Sequence, residues 1–283
     1  MRSLRVFISV LTVLAFSALP VSPGEAAPGG APEVLRVVSF NMHAGIGADG
    51  ELDLERVAEV VLRSRADVVG LQEVDVHFSA RSDYVDQATR LAELTGMQAF
   101  FAPIYDLDPE PGHSQRRRFG VAVLSRYPIV ATTNHELTRN STVGPPGSPT
   151  PMPGFAEAVV SVRGRHVRVY STHLDYRADP AVRRTQVAET VRVLDSDPPH
   201  ARQVLLGDLN AEPTAPELGP LFERVRDAWG TRKGGFTYPA PRPVKRIDYV
   251  TFAGPVQVED ARVPRSPASD HLPVLARLLL DPG

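Results

Sequence analysis

Six short polar clusters stand at the ends of apolar runs in this 283-residue chain. Val34–Phe40 runs into Asn41, and Val68–Leu71 runs into Gln72-Glu73. Val167–Ser171 runs into Thr172-His173, with Asp175 close behind, and Val204–Leu206 runs into Gly207-Asp208-Leu209-Asn210. Asp248 sits inside the string IDYV, and Ser269-Asp270-His271 opens the last apolar run. A single acid at such a place is ordinary, because Asp and Asn turn the chain where a strand stops. Clusters built from Asn, Glu, His and Asp say more, because strand ends converge on one rim of a sheet, where ligands bind. Carboxylate and amide oxygens suit Mg²⁺, which keeps several waters and takes few protein ligands. Two histidines add proton transfer or hydrogen bonding to phosphate. No serine nucleophile stands out and cysteine is absent, so the expected chemistry is attack by water.

The elements that must position these residues follow from periodicity. Strands are expected at Val34–Phe40, Val68–Leu71, Ala99–Phe101, Gly120–Leu124, Ala158–Val162, Val167–Ser171, Val204–Leu206, Ile247–Phe252, Val256–Val263 and Leu272–Leu280. Leu54, Val57, Ala58, Val61 and Leu62 recur at helical spacing behind Asp53, a good N-cap. Tyr84, Ala88, Leu91, Ala92 and Thr95 form a second such face after Ser82 or Asp83. A third helix is expected from about Asp179 to Leu194, with Pro180 in its first turn. Tyr105–Arg118 and the proline-rich His135–Gly154 read as loops long enough to overhang a site. No composition break divides 35–283, so that stretch reads as one α/β domain.

Residues 1–26 have the form of a secretory signal peptide: Arg2 and Arg5, then an apolar run from Val6 to Leu19, then prolines and small residues. Export is therefore expected, with 27–34 as a flexible lead-in, and no later apolar run is long enough for a transmembrane helix. Lys+Arg number 31 and Asp+Glu 33, a formal net charge of -2. No bulk basic field argues for nucleic acid. The lack of cysteine excludes disulfides, thiolate metal sites and thiol nucleophiles.

The strings SFNMHAG, GLQEVD, YSTHLDY, LLGDLNAEP, RIDYV and SDHLPV, in this order, resemble the endonuclease/exonuclease/phosphatase superfamily, whose fold is that of deoxyribonuclease I. GVAVLSRYP at 120–128 resembles one of its core strands. The resemblance implies a four-layer α/β sandwich, with two packed mixed β-sheets and helices on the outer faces. It also implies a divalent metal, usually Mg²⁺ with Mn²⁺ or Ca²⁺ as substitutes, and hydrolysis of a phosphate ester by in-line attack.

Under that resemblance Glu73 is the principal metal ligand, with Asn41 and Asp270 beside it. His271 is the general base, oriented by Asp248. His173 binds phosphate or assists the leaving group, Asp208 positions the nucleophile or protonates the leaving group, and Asn210 donates to a phosphoryl oxygen. Tyr170, Asp175, Arg116 and Arg118 are weaker substrate contacts. His43 and Asp75 match no expected role and read as structural. Many relatives carry a basic residue just before the strand at Ala156–Glu157, where this chain has Pro153-Gly154-Phe155. The contact it would make is absent or moved to Arg116–Arg118.

The expected activity is thus that of an exported Mg²⁺-dependent phosphoesterase. A nuclease is placed first, ahead of a sphingomyelinase-like phospholipid headgroup phosphodiesterase or a small phosphate-ester phosphatase. A catalytically inactive binding protein on the same scaffold is disfavoured, because Glu73, Asp208, Asn210, Asp248 and His271 are all present. A histidine-bound zinc hydrolase fails on spacing, since no HExxH string occurs. Nothing in the sequence marks an obligate protein partner.

Overall fold

The computed structural model describes residues 32–144 and 147–281. The expected signal peptide, and the lead-in as far as residue 31, lie outside the described residues. Two six-stranded sheets form the body. The first has the order β11 (Val256–Arg262), β12 (Val274–Leu280), β1 (Glu33–Asn41), β2 (Val68–Val76), β4 (Arg117–Ser125), β3 (Gln98–Leu107). The second runs β5 (Ile129–Arg139), β6 (Thr150–Val162), β7 (Arg165–His173), β8 (Arg202–Asp208), β10 (Asp248–Ala253), β9 (Arg226–Asp227). Each sheet has one parallel pair, β1 with β2 and β7 with β8, among antiparallel neighbours. These are the mixed sheets that the resemblance implied.

The sheets face one another across an aliphatic core. Leu35, Val37 and Val68 from the first meet Val160, Val169, Val204 and Leu206 from the second, all buried. Gly70 sets the closeness of the two layers. A Cβ there would lie 2.6 Å from Leu206 Cβ, so only glycine fits without pushing the sheets apart. Polar bonds span the layers above this point: Gln72 Nε2 donates to Ser171 Oγ, and Ser171 Oγ donates to the Leu71 carbonyl, both at 3.1 Å.

Helices cover the outer faces. In α1 (Leu54–Ser64) the apolar stripe Leu54, Val57, Ala58 and Val61 is buried against the first sheet. Asp53 caps it by accepting from the Arg56 N–H at 2.8 Å, a contact typically worth about 1 kcal/mol. Helix α2 (Gln87–Thr95) starts later than its apolar spacing suggested, because Asp86 is the N-cap. Tyr84 lies before it with φ +53°, outside any helix. On the second sheet α3 (Ala181–Asp195) begins just after Pro180, and a short α4 (Gly219–Arg224) follows that periodicity did not reveal.

The two expected loops are shorter than read. Strand pairing absorbs Tyr105–Leu107 and Arg117–Arg118 from the first, and His135–Arg139 and Thr150–Gly154 from the second. Pro151 and Pro153 sit inside β6, with Pro151 opposite Thr138. Glu33 and Val34, assigned to the lead-in, already pair with Leu280 and Leu279.

Candidate active site

Strand alternation brings the polar clusters together. Side chains two apart share a face, and the inner, core-facing rows are Val37-Ser39-Asn41 on β1, Val169-Ser171-His173 on β7, Val204-Leu206-Asp208 on β8 and Asp248-Val250 on β10. The aliphatic members of these rows lie in the inter-sheet core. Each row is apolar at depth and ends in a polar residue at the mouth between the sheets. The parallel pairing of β7 with β8 places His173 opposite Asp208, and the antiparallel pairing of β10 with β8 places Asp248 opposite Asp208. β12 runs antiparallel to β1, so the Ser269-Asp270-His271 segment that precedes it arrives at the same mouth.

Glu73 reaches the mouth by a different device. Regular alternation after Gln72 would turn it to the outer face. The β2–β4 pairing instead shifts register between Leu71 and Val74, and Glu73 takes φ +56°. A bulge re-aims a side chain in this way. His43 (φ +47°), Ala44 (φ +51°) and Asn210 (φ +49°) are likewise left-handed. Such conformations cost about 1–3 kcal/mol each and persist where surrounding structure enforces them. Three of these residues, His43, Glu73 and Asn210, line one cavity.

That cavity has a volume of about 640 Å³ and is lined by His43, Glu73, His173, Asp208, Asp270 and His271 among others. His271 Nδ1 lies 2.9 and 3.1 Å from the two oxygens of Asp248. A carboxylate only accepts, so Nδ1 carries the hydrogen and Nε2 is left toward Asp208, 3.8 Å from Oδ2. Tyr238 packs on the imidazole with ring centroids 4.7 Å apart. Asp208 Oδ2 is also 3.5 Å from His173 Nε2. Asn41 Nδ2 donates to both Glu73 Oε1 and Asp208 Oδ2 at 3.0 Å.

These contacts set the proton affinities. Burial disfavours charge on His271, but Asp248, by charge and by hydrogen bond, and then Asp208 and Asp270 push it up to about 10. Burial and the charge of Asp248 raise Asp208. Burial also opposes ionisation of Glu73, yet His173 and the Asn41 amide hold it below its usual value. The site therefore offers an ionised carboxylate, a carboxyl that holds its proton unusually well, and a basic imidazole.

The donor chemistry fits a hard divalent cation. Glu73 and Asp270 offer carboxylate oxygens on the cavity wall, and His43 Nδ1 is buried with no hydrogen-bond partner among the described residues, 3.6 Å from Asp270 Oδ1. Asp208, Asp248 and His271 also bring potential ligand atoms within 4.8 Å of one another. The 2.9 Å contact between Asp248 and His271 Nδ1 favours reading that group as a proton-handling pair rather than a cation cage.

Not every expected contact is here. Asn41 is wholly buried, and its amide nitrogen bridges Glu73 and Asp208. Asn210 lines the cavity, but its Nδ2 donates to the Leu174 carbonyl and its N–H to Asp208 Oδ1, so the amide is already engaged. Tyr170 is not a substrate contact: it faces the opposite side of β7 from Ser171 and His173, is fully buried, and donates to Asp197 Oδ2 at 2.6 Å. Alternation within the string YSTH carries that signal. Asp175 pairs with Arg177 and receives the Arg177 N–H, a turn role, although it borders a neighbouring cavity. Arg116 pairs with Asp106 and Asp108, and Arg118 lies over the Phe101 ring; neither lines the cavity. Tyr176, Tyr238 and Lys245 line it and were missed, and His43, read as structural, lines it too. Only His43, two residues beyond Asn41, carried a positional hint.

The family model described as the endonuclease/exonuclease/phosphatase family matches residues 38–271. An endonuclease/exonuclease/phosphatase from Beutenbergia cavernae DSM 12333 is 27% identical, with a TM-score of 0.67 over 87% of this chain and 72% of that one. A mannosyl-6-phosphatase from Bacteroides thetaiotaomicron VPI-5482 is 17% identical, with a TM-score of 0.65 over 86% of this chain and 99% of that one. The human Nocturnin catalytic domain, solved with a sulfate anion, is 20% identical, with a TM-score of 0.62 over 88% and 93%. The last two likenesses speak for the fold alone. No curated protein matches the chain.

Proposed function

This chain belongs to the endonuclease/exonuclease/phosphatase family, whose members act on phosphate esters, and from that premise we propose that it is a divalent-metal-dependent phosphodiesterase using water activated by His271. The observation that carries this is the Asp248–His271 contact, made through Nδ1 and leaving Nε2 toward the cavity and Asp208. Asp248 fixes the tautomer and stabilises the imidazolium; the charge of a cation held at Asp270 would lower the proton affinity of His271, so that its neutral form can take a proton from water. Asp208, its affinity for a proton raised, stands between His271 and His173 and serves the leaving oxygen. Asn41 holds the Glu73 and Asp208 carboxylates at a fixed separation. A divalent cation held by Glu73 and Asp270 would neutralise charge on the phosphoryl oxygens.

Nucleic acid is the substrate we place first. Tyr176, 63% exposed at the cavity rim, offers an aromatic face of the kind on which a base stacks. Export by the N-terminal leader belongs to the same reading. The test is a panel of plasmid DNA, RNA, sphingomyelin, a phosphoinositide and a chromogenic phosphodiester, each with Mg²⁺ and with EDTA. Nicking of DNA that EDTA and His271→Ala both abolish supports the proposal. Turnover of lipid alone replaces the nuclease reading with the headgroup reading, and turnover untouched by EDTA overturns metal dependence.

A further inference from the structure

Arg139, near the end of β5, is buried and has no carboxylate within ion-pair distance among the described residues. Its Nη1 donates to the His173 carbonyl at 2.9 Å and its Nη2 to the Gly154 carbonyl at 3.0 Å. Its Nε is buried without any partner among the described residues. The two acids nearest in charge are committed elsewhere. Glu189 accepts from the N–H and hydroxyl of Thr138, and Asp175 pairs with Arg177. Burial pulls the guanidinium down to about 10, yet it remains a cation at neutral pH. Leaving a buried cation without a counter-charge is unfavourable, so a fold that retains one has a use for it.

Arg139 borders a second cavity, about 190 Å³ in volume, which shares Glu73, His173 and Tyr176 with the catalytic one. The two cavities adjoin at the residues that face the scissile phosphate in the function proposed above. Tyr105, Asn140 and Thr142 give the second cavity neutral polar walls, the Asp175 carboxylate that also lines it is paired with Arg177, and its size admits one tetrahedral oxyanion. Arg139 also stands against Gly154, in the segment Pro153-Gly154-Phe155 that has no basic residue of its own, while Arg116 and Arg118 lie elsewhere.

The geometry points to a second anion subsite, in which Arg139 binds a further phosphate group carried by the substrate next to its scissile phosphodiester. This inference rests on the phosphodiesterase reading. It makes Arg139 a specificity residue, with substrates bearing an adjacent phosphate preferred over those without.

The experiment compares thymidylyl-thymidine with and without a 5′-phosphate, in Mg²⁺, for the wild-type chain, Arg139→Gln and Arg139→Lys. The wild type is expected to show kcat/KM about tenfold higher for the phosphorylated dinucleotide, the effect of one charge-assisted contact. Arg139→Gln should bring that ratio to about one through KM, and Arg139→Lys should restore part of it. A ratio near one in the wild type overturns the subsite. So does an Arg139→Gln variant that loses kcat equally on both substrates, which would leave Arg139 only a support for His173. Thermal unfolding with inorganic sulfate in EDTA separates this from failure of the phosphodiesterase reading. If neither dinucleotide is cleaved, stabilisation by sulfate that Arg139→Gln abolishes still supports the anion pocket, and no stabilisation overturns it. Sulfate binding without preference for the phosphorylated dinucleotide also overturns the assignment to a substrate phosphate.

Discussion

The carboxylate of Asp248 meets His271 Nδ1 with both oxygens, at 2.9 and 3.1 Å, in a buried contact between residues 23 apart in sequence. It decides which imidazole nitrogen can act on water. Replacing His271 with Ala should lower kcat at least about a hundredfold with the fold intact, the usual scale of general base catalysis. Asp248→Asn should also lower kcat strongly, because an amide can reverse the tautomer. Steady-state kinetics beside circular dichroism checks both, and a fully active His271→Ala would remove the histidine from the mechanism.

The same contact links stability to pH. The carboxylates around His271, Asp248 foremost, push its imidazole up to about 10, well above the ordinary histidine value of about 6.5. A raised pKa contributes stability that is fully present below the unfolded value and is lost as pH rises through the folded one. The metal-free protein should therefore lose several degrees of Tm between about pH 6.5 and 10. Asp248→Asn should flatten that decline. Melting curves in EDTA across this range test it, and identical slopes for the two proteins would refute it.

Glu73 combines a functional side chain with an unfavourable backbone angle, φ +56°. Glycine normally destabilises a strand relative to alanine. Here Glu73→Gly should be more stable than Glu73→Ala by about 1 kcal/mol, because only glycine adopts this conformation without cost. Both variants, and Glu73→Gln, should need more Mg²⁺ for half-maximal activity. Denaturant titration and a Mg²⁺ titration read the two effects separately, and an alanine variant as stable as the glycine one would count against the strain.

Gly70 has no room for a methyl group, with Leu206 Cβ 2.6 Å from where one would sit. Gly70→Ala should cost about 1–3 kcal/mol, as overpacking does. Its activity should fall too, since the catalytic residues are split between the two sheets that it would separate. A variant with wild-type Tm would show that the layers adjust freely.

Tyr170 provides the contrasting case. Its hydroxyl donates to Asp197 on the far side of β7 from the cavity. Tyr170→Phe should destabilise the fold by about 1 kcal/mol and leave kcat and KM unchanged. A changed KM would return Tyr170 to the substrate contacts.

Much of this protein can be read without its structure. The apolar runs, the polar residues that end them and the helical spacing of Leu54, Val57, Ala58 and Val61 are local properties of the chain, set by side-chain period and turn chemistry. They show that acids, amides and histidines collect at strand ends, and the order of the strings identifies the family. Even the inward or outward aim of Tyr170 against His173 follows from a period of two. Tertiary structure alone decided the rest. Antiparallel pairing sets Asp248 opposite Asp208 across 40 residues of chain, and a register shift in β2 turns Glu73 back toward the mouth. Asn41 became a bridge because Asp208, 167 residues away, packs against it. Arg139 ended beside His173 because β5 and β6 extend through a segment that reads as loop. Pairing register and sheet-to-sheet contact join residues far apart in the chain, and no local pattern of side chains records which distant strand will lie alongside.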